Sequence, residues 1–159
     1  MNEMVLIGCF GIGVVAGLRS MTAPAVVSLA AYAGWIHLAD GPFWWLGKIP
    51  LVVLLTAWAL FELVMDKTSK LGKRTEPFGL IFRIVTSVLS GAVISTAAGT
   101  GALTGMVAGL IGGLIGTYGG YHLRHLCVSK SSFGDLPIAL VEDIVAIVLG
   151  VACIYFVGH

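Results

Sequence analysis

The sequence predicts an all-α integral membrane protein, a single transmembrane domain over residues 1–159 built as a bundle of about five helices. Hydrophobic residues make up 58% of the chain and charged residues only 11%, whereas a soluble domain carries about 25% charged residues. The mean hydropathy is +1.01, which fits a chain whose natural solvent is lipid. The net charge of +1 excludes a basic surface for nucleic acid.

The first predicted span covers residues 4–35 and is too long for one straight crossing, which needs about 20 apolar residues. Gly, Ser, Thr and Pro, together with Arg19, interrupt it at residues 17–24. Such residues loosen a helix and leave backbone groups to be satisfied by other partners. We therefore expect a long first helix that is broken or kinked there, either as one tilted helix or as two half-helices.

Four further spans follow, and each is close to the length of one crossing. Pro77 and Pro137 stand where first-turn prolines belong, so they mark the starts of the third and fifth spans. The predicted spans cover residues 45–65, 78–98, 101–121 and 137–157.

Basic residues in the short loops predict the orientation of the bundle. Cytoplasmic loops carry an excess of Lys and Arg, and one side of a five-span bundle has six such residues while the other has only Lys48. We therefore place the N-terminus and both basic loops in the cytoplasm. The six residues are Lys67, Lys70, Lys73, Arg74, Arg124 and Lys130, and the opposite side carries an aromatic belt of Trp35, Trp44 and Trp45.

Several charges lie inside the spans and form the candidate site. An unpaired charge in hydrocarbon costs at least about 2.5 kcal/mol, so these side chains should face one another or water. By depth we expect Arg83 to pair with acids, and Arg19 to meet backbone carbonyls, hydroxyls or a bound anion. The layer is either structural or a site for an ion, a proton or a polar solute. Its candidate residues are Arg19, Ser20, Thr22, Glu62, Asp66, Arg83, Glu142 and Asp143.

The fourth span carries a face of glycines at steps of three and four, which favours close packing against another helix, within the protomer or between protomers. The face consists of Gly105, Gly109, Gly113, Gly116 and Gly120. His122 and His125 end the same span and are weak metal-ligand candidates, because interfacial histidines are the commoner case. No motif supports enzyme chemistry, and no cofactor is expected.

Three short motifs resemble an uncharacterised family of small bacterial multi-span membrane proteins, a domain of unknown function. The motifs are A-G-L-R ending at Arg19 with Pro24 after it, E-x-x-x-D-K from Glu62, and the Glu142–Asp143 pair. The resemblance implies that the charged positions belong to a recurring pattern, and it implies the bacterial inner membrane as the location. It brings no activity with it.

The function that these features favour is a homo-oligomeric transporter or channel-like protein for a small charged solute, with an anion, a cation or a proton as its partner. The alternative is a non-transporting scaffold, assembly factor or lipid-binding module whose polar layer is structural. A membrane enzyme that acts on lipid head groups ranks third. A hydrated cavity that reaches Arg19 would favour transport, and closed ion pairs would favour the scaffold.

Overall fold

The computed structural model describes residues 3–38, 41–65, 77–130 and 135–158, and these residues form six α-helices. The all-α class is confirmed, and so is the break in the first apolar segment, which supplies two helices instead of one. The helices are α1 (Glu3–Leu18), α2 (Thr22–Tyr32), α3 (Ile49–Met65), α4 (Pro77–Ala97), α5 (Ala102–Lys130) and α6 (Asp135–Gly158), with a 3-10 turn at Trp44–Gly47 before α3.

Three helices are long and apolar enough to cross a membrane, which supports the membrane assignment. They contain the segments Phe78–Ala97, Ala102–Cys127 and Pro137–Gly158. The apolar helices α1, α2 and α3 are shorter, at 16, 11 and 17 residues. At 1.5 Å per residue, α1 and α2 measure about 24 Å and about 16 Å, so neither spans about 30 Å of hydrocarbon alone.

Helix α1 runs antiparallel to α6. Near the start of α1, Gly8 lies against Val157, close to the end of α6. Beyond the end of α1, Arg19 forms an ion pair with Asp143, near the start of α6. The two helices therefore lie side by side with opposite directions, and the N-terminal end of α1 is level with the C-terminal end of α6.

Helix α2 doubles back beside α1. Trp35, just after α2, packs edge-on against Tyr155 of α6 with ring centroids 6.4 Å apart. The start of α1 and the end of α2 therefore lie at the same end of the bundle, which we call the far end. Residues Arg19–Met21 reverse the chain between them, and we call these three residues the tip and the opposite end of the bundle the tip end.

This hairpin differs from the expected orientation of the first span. A single crossing by residues 4–35 would put the N-terminus at the end where the basic loops lie. In the structure the N-terminal end of α1 lies at the far end, while α3 ends and α4 begins at the tip end. The signals at residues 17–24 mark a break, but they do not specify whether the chain continues or reverses there.

Glycines bring α1, α4 and α5 into backbone contact. A Cβ atom at Gly13 would collide with the backbone of Gly109, and one at Gly91 would collide with the carbonyl of Gly105. Without side chains at these points the helices approach more closely than other residues allow. These three helices therefore form the tightest part of the bundle, and α6 packs on α1 beside them.

A short turn at the far end joins α4 to α5. Gly99 and Gly101 adopt φ values of +71° and +85°, a region that L side chains rarely enter. The Ser95 hydroxyl donates to the Gly101 carbonyl at 2.5 Å and stabilises the turn. Helix α5 then runs to Lys130, about two turns beyond the predicted end of its span at residue 121.

Candidate functional site

The tip of the hairpin combines two helix ends inside the bundle. The last carbonyls of α1 and the first N–H groups of α2 have no partners within their own helices. Arg19 and Ser20 are buried at the tip, and so is Thr22, the first residue of α2. Such backbone groups must therefore find partners on other helices, because lipid offers none.

Arg83 of α4 satisfies the end of α1. Its guanidinium donates from Nη1 to the carbonyls of Gly17 at 2.5 Å and Leu18 at 2.8 Å. The Thr117 hydroxyl of α5 adds a weaker contact to the Gly17 carbonyl at 3.3 Å. A cation suits this position because the C-terminal end of a helix carries partial negative charge.

Glu62 of α3 satisfies the start of α2. Its Oε1 accepts from the Ser20 backbone N–H at 3.0 Å and from the Ser20 hydroxyl at 2.5 Å. Its Oε2 accepts from the Met21 N–H at 2.8 Å. An anion suits this position because the N-terminal end of a helix carries partial positive charge.

Arg19 itself forms an ion pair with Asp143 of α6 through Nη2 and Oδ1. The two side chains are only 1% and 7% exposed. The ion pair joins two charges on different parts of the bundle, as the sequence predicts, and Arg83 contacts carbonyls of the broken segment, which the sequence analysis assigned to Arg19. The reason is the hairpin, which turns the end of α1 toward Arg83 and brings Arg19 to the depth of Asp143.

Glu142 lies beside the tip cluster. Its carboxylate is 3.8 Å from the Arg124 guanidinium of α5, and both side chains are largely buried. The remaining predicted member, Asp66, lies outside the described residues. The structure thus brings Arg19, Ser20, Thr22, Glu62, Arg83 and Asp143 together at the tip, with Glu142 next to Asp143 in the chain.

His122 and His125 are exposed on the last turns of α5, where both rings pack beside Tyr121. Within the described part of the chain, no group of three or more His, Cys, Asp or Glu side chains is placed to hold a metal ion.

The predicted glycine face of α5 is used inside the protomer. Gly105 and Gly109 contact the backbone of α4, and Gly113 contacts the Ser87 side chain of the same helix. Gly116 contacts the Val14 backbone of α1. Gly120 is buried as well. A contact between protomers would therefore need a different surface.

Buried hydroxyls are the part of the site that the sequence analysis missed. The Ser87 hydroxyl donates to the Arg83 carbonyl at 2.6 Å and lies 3.4 Å from the Gly13 carbonyl of α1. The Thr117 hydroxyl donates to the Gly113 carbonyl at 2.8 Å. A signal was present, because Ser87 follows Arg83 by four residues and therefore shares its helix face.

Among the described residues, two positive side chains at the tip, Arg19 and Arg83, formally compensate two negative ones, Glu62 and Asp143. Two of them hold the ends of the half-helices, and the other two form the ion pair. An ion or a proton that binds here must change this balance, so the arrangement can couple the binding of a charge to a change in helix contacts.

Comparison with known proteins places most of the chain in a family. A family model described as "Domain of unknown function (DUF4126)" matches residues 6–156, which is nearly the whole chain. No curated protein and no solved structure matches the sequence.

Proposed function

Because the chain belongs to this family, described as a domain of unknown function, its activity must be argued from its own residues, and we propose that it is a membrane carrier for a small charged solute. The solute binds at the tip of the hairpin. The single observation that carries the proposal is the hairpin of α1 and α2, whose two helix ends at the tip are held by charged side chains of other helices.

The free-energy cost of this arrangement argues for a role beyond stability. A continuous apolar helix would need none of these charges. Replacing a buried ion pair with well-packed hydrophobic residues is often neutral, or stabilising by about 1–4 kcal/mol. Apolar residues could therefore supply about as much stability as Arg19 and Asp143 do. Ionisable groups inside membranes commonly mark ion and solute pathways, which argues for a functional role.

Broken helices also suit solute binding in general. Transporters commonly bind ions and substrates where a membrane helix is interrupted, because the freed backbone groups and the helix dipoles face the ligand. Here the side chains of Arg83 and Glu62 occupy the positions at which such ligands would sit. A charged solute can therefore enter by exchanging with one of these side chains.

The scaffold alternative has an observation in its favour. The pair between Arg19 and Asp143 is closed, with both side chains almost fully buried. Closed pairs fit a structural layer, and they also fit a carrier between its two open states. The two functions differ in what happens when the pair is replaced by apolar residues.

Proteoliposomes on a solid-supported membrane would test the carrier. Concentration jumps of sodium chloride, potassium chloride, magnesium chloride and sodium phosphate, and a pH jump, are applied in turn. We expect at least one jump to produce a transient current above that of empty liposomes. The Arg19→Leu/Asp143→Leu variant should lose this current while it keeps the wild-type thermal stability or exceeds it.

Two results would count against the carrier. If no jump produces a current with the wild-type protein, the scaffold is the better account. If the double variant gives the wild-type current, solute passes elsewhere and the tip is not the site. Lys48→Met, a change of an exposed basic residue at the far end, is the matched control and should leave the current unchanged.

The proposal includes an orientation. The excess of Lys and Arg in the loops supports a cytoplasmic location for the tip end. The N-terminal end of α1 and the connection between α2 and α3 then face the opposite side of the membrane. The tip lies near the cytoplasmic surface in this orientation, because Arg83 is only six residues, about 9 Å, into α4.

A further inference from the structure

A cavity of about 280 Å³ lies at the far end of the bundle, where the chain connects α2 to α3. An added methyl group at Gly34, one of the lining residues, would meet no neighbouring atom within 4 Å, so the cavity is open beside this residue. The polar and aromatic part of its lining includes His37, Trp44 and Lys48. The tip lies at the opposite end of the bundle, so this cavity is separate from the candidate site.

Three tryptophans indicate the depth of the cavity in the membrane. Trp35 follows α2, and Trp44 and Trp45 precede α3, and all three are exposed. Tryptophan concentrates at the membrane–water interface, where its ring meets hydrocarbon and its N–H meets polar groups. The cavity therefore lies at the depth of lipid head groups.

The cavity has a positive electrostatic character. The Lys48 ammonium lies 5.4 Å from the centre of the Trp44 ring, a cation–π contact. Among the described residues, no carboxylate forms an ion pair with this ammonium. His37 adds a ring N–H, which is a donor in every tautomer and protonation state of imidazole. Helix α3 begins directly after Lys48, and its N-terminal end adds partial positive charge. These groups favour an anion.

The end of α2 opposes an anion only weakly, although the C-terminal end of a helix carries partial negative charge. The chain turns back on its last carbonyls. The Ala30 carbonyl accepts from the Trp35 N–H at 2.9 Å, and the Ala31 carbonyl accepts from the Gly34 N–H at 3.3 Å. Gly34 permits this closure with a φ of +78°. Carbonyls that already accept hydrogen bonds present less negative charge to a ligand.

An exposed apolar strip continues from the cavity along α3. Ile49 directly follows Lys48, and Val53 lies one turn further along the helix. The two residues are 59% and 61% exposed, and residues four apart share a helix face. The strip runs from head-group depth toward the tip end, into the hydrocarbon. An acyl chain can lie on it, whereas a free anion makes no use of it.

We propose that this cavity binds the head-group phosphate of an anionic phospholipid. Lys48 and His37 contact the phosphate, Trp44 positions the Lys48 ammonium, and an acyl chain lies along Ile49 and Val53. A zwitterionic phospholipid is the poorer ligand, because its own cation would lie close to Lys48. The site does not depend on the proposed carrier, because it lies at the other end of the bundle, and loss of this lipid should leave the carrier current unchanged.

Native tryptophans offer a local readout of this lipid. Phospholipids with brominated acyl chains quench nearby tryptophan fluorescence, and three of the four tryptophans flank the cavity. The fourth, Trp58, stacks on Phe82 of α4 and is replaced by phenylalanine, which can keep the ring contact. The full-length protein is reconstituted in phosphatidylcholine vesicles with an increasing fraction of brominated phosphatidylglycerol. The reverse titration uses brominated phosphatidylcholine in phosphatidylglycerol.

We expect a component of the quenching to saturate at a low fraction of phosphatidylglycerol, with at least about a fivefold preference over phosphatidylcholine. One basic side chain near an anionic lipid is worth about this factor. Lys48→Met should remove the component, and Lys48→Arg should keep it. Lys130→Met removes the same charge at the last residue of α5, at the tip end, and is the matched control that should also keep it.

Three results would overturn the proposal. The first is quenching by the two lipids in simple proportion to their fractions, which would mean that the far end does not select an anionic lipid. The second is a saturable component that survives in Lys48→Met. The third is relief of the quenching by inorganic phosphate but not by sodium chloride of equal ionic strength, which would make the cavity a site for a free anion instead of a lipid.

Discussion

At the scale of single residues, the charges that lie within the spans were predictable, and the atoms that each of them contacts were not. The sequence alone singled out Arg19, Arg83, Glu62 and Asp143, because charges are expensive in an apolar span. Their partners depend on which helix ends meet, and no sequence pattern carries that information. Along a straight first helix, Arg19 would lie too deep in the membrane to meet the acids. The hairpin removes this difference in depth.

The cap at the start of α2 gives a prediction at this scale. Glu62→Gln keeps one acceptor oxygen for Ser20 but places an amide nitrogen against the Met21 N–H, where no hydrogen bond can form. We expect a loss of about 1–3 kcal/mol of stability, because a buried donor loses a charged acceptor. Thermal unfolding in detergent would measure this loss as a lower midpoint.

Glu3→Gln is the matched control for this variant. Glu3 is exposed in the first turn of α1, at the far end of the bundle. We expect a change below about 1 kcal/mol, in the range of exposed charges. Equal losses for the two variants would show that the hydrogen bonds at the tip add nothing specific to stability.

At the scale of helices, the sequence indicated where helices lie and which glycines bring them together. The break at residues 17–24 was predictable because Gly, Arg, Ser and Pro follow one another within an apolar run. The reversal was not, since the dihedral angles of three tip residues decide it and their partners come from α3, α4 and α6. The loop charges could not reveal it either, because a hairpin and a single crossing leave the same basic loops on one side.

The glycines of α5 give the prediction at this scale. A methyl group at Gly109 would collide with the Ser87 carbonyl of α4, whereas one at Gly119 would meet no neighbouring atom within 4 Å. We expect Gly109→Ala to destabilise the bundle by about 1–3 kcal/mol through overpacking. Gly119→Ala should instead stabilise it by up to about 1 kcal/mol, because alanine is the better helix former.

Chemical unfolding of the two alanine variants beside the wild-type protein would measure both changes. Because both substitutions lie on the same helix and add the same methyl group, intrinsic helix propensity affects them equally. If both variants were stabilised, the helices would not approach as closely at Gly109 as the structure has them.

At the scale of the whole molecule, the account depends on the direction of α1. The hairpin places the tip charges at one end of the bundle and puts the N-terminal end of α1 beside the end of α6. With a single crossing instead, Arg19 could not meet Asp143, and the candidate site would not exist in this form.

The sidedness of three introduced cysteines tests this claim most directly. Glu3→Cys marks the start of α1, Lys48→Cys the connection before α3, and Ser69→Cys the basic segment between α3 and α4, which lies outside the described residues. Each is labelled with a membrane-impermeant maleimide in right-side-out and inverted vesicles. The account predicts that Glu3→Cys and Lys48→Cys label from one face and Ser69→Cys from the other. Labelling of Glu3→Cys from the same face as Ser69→Cys would contradict it.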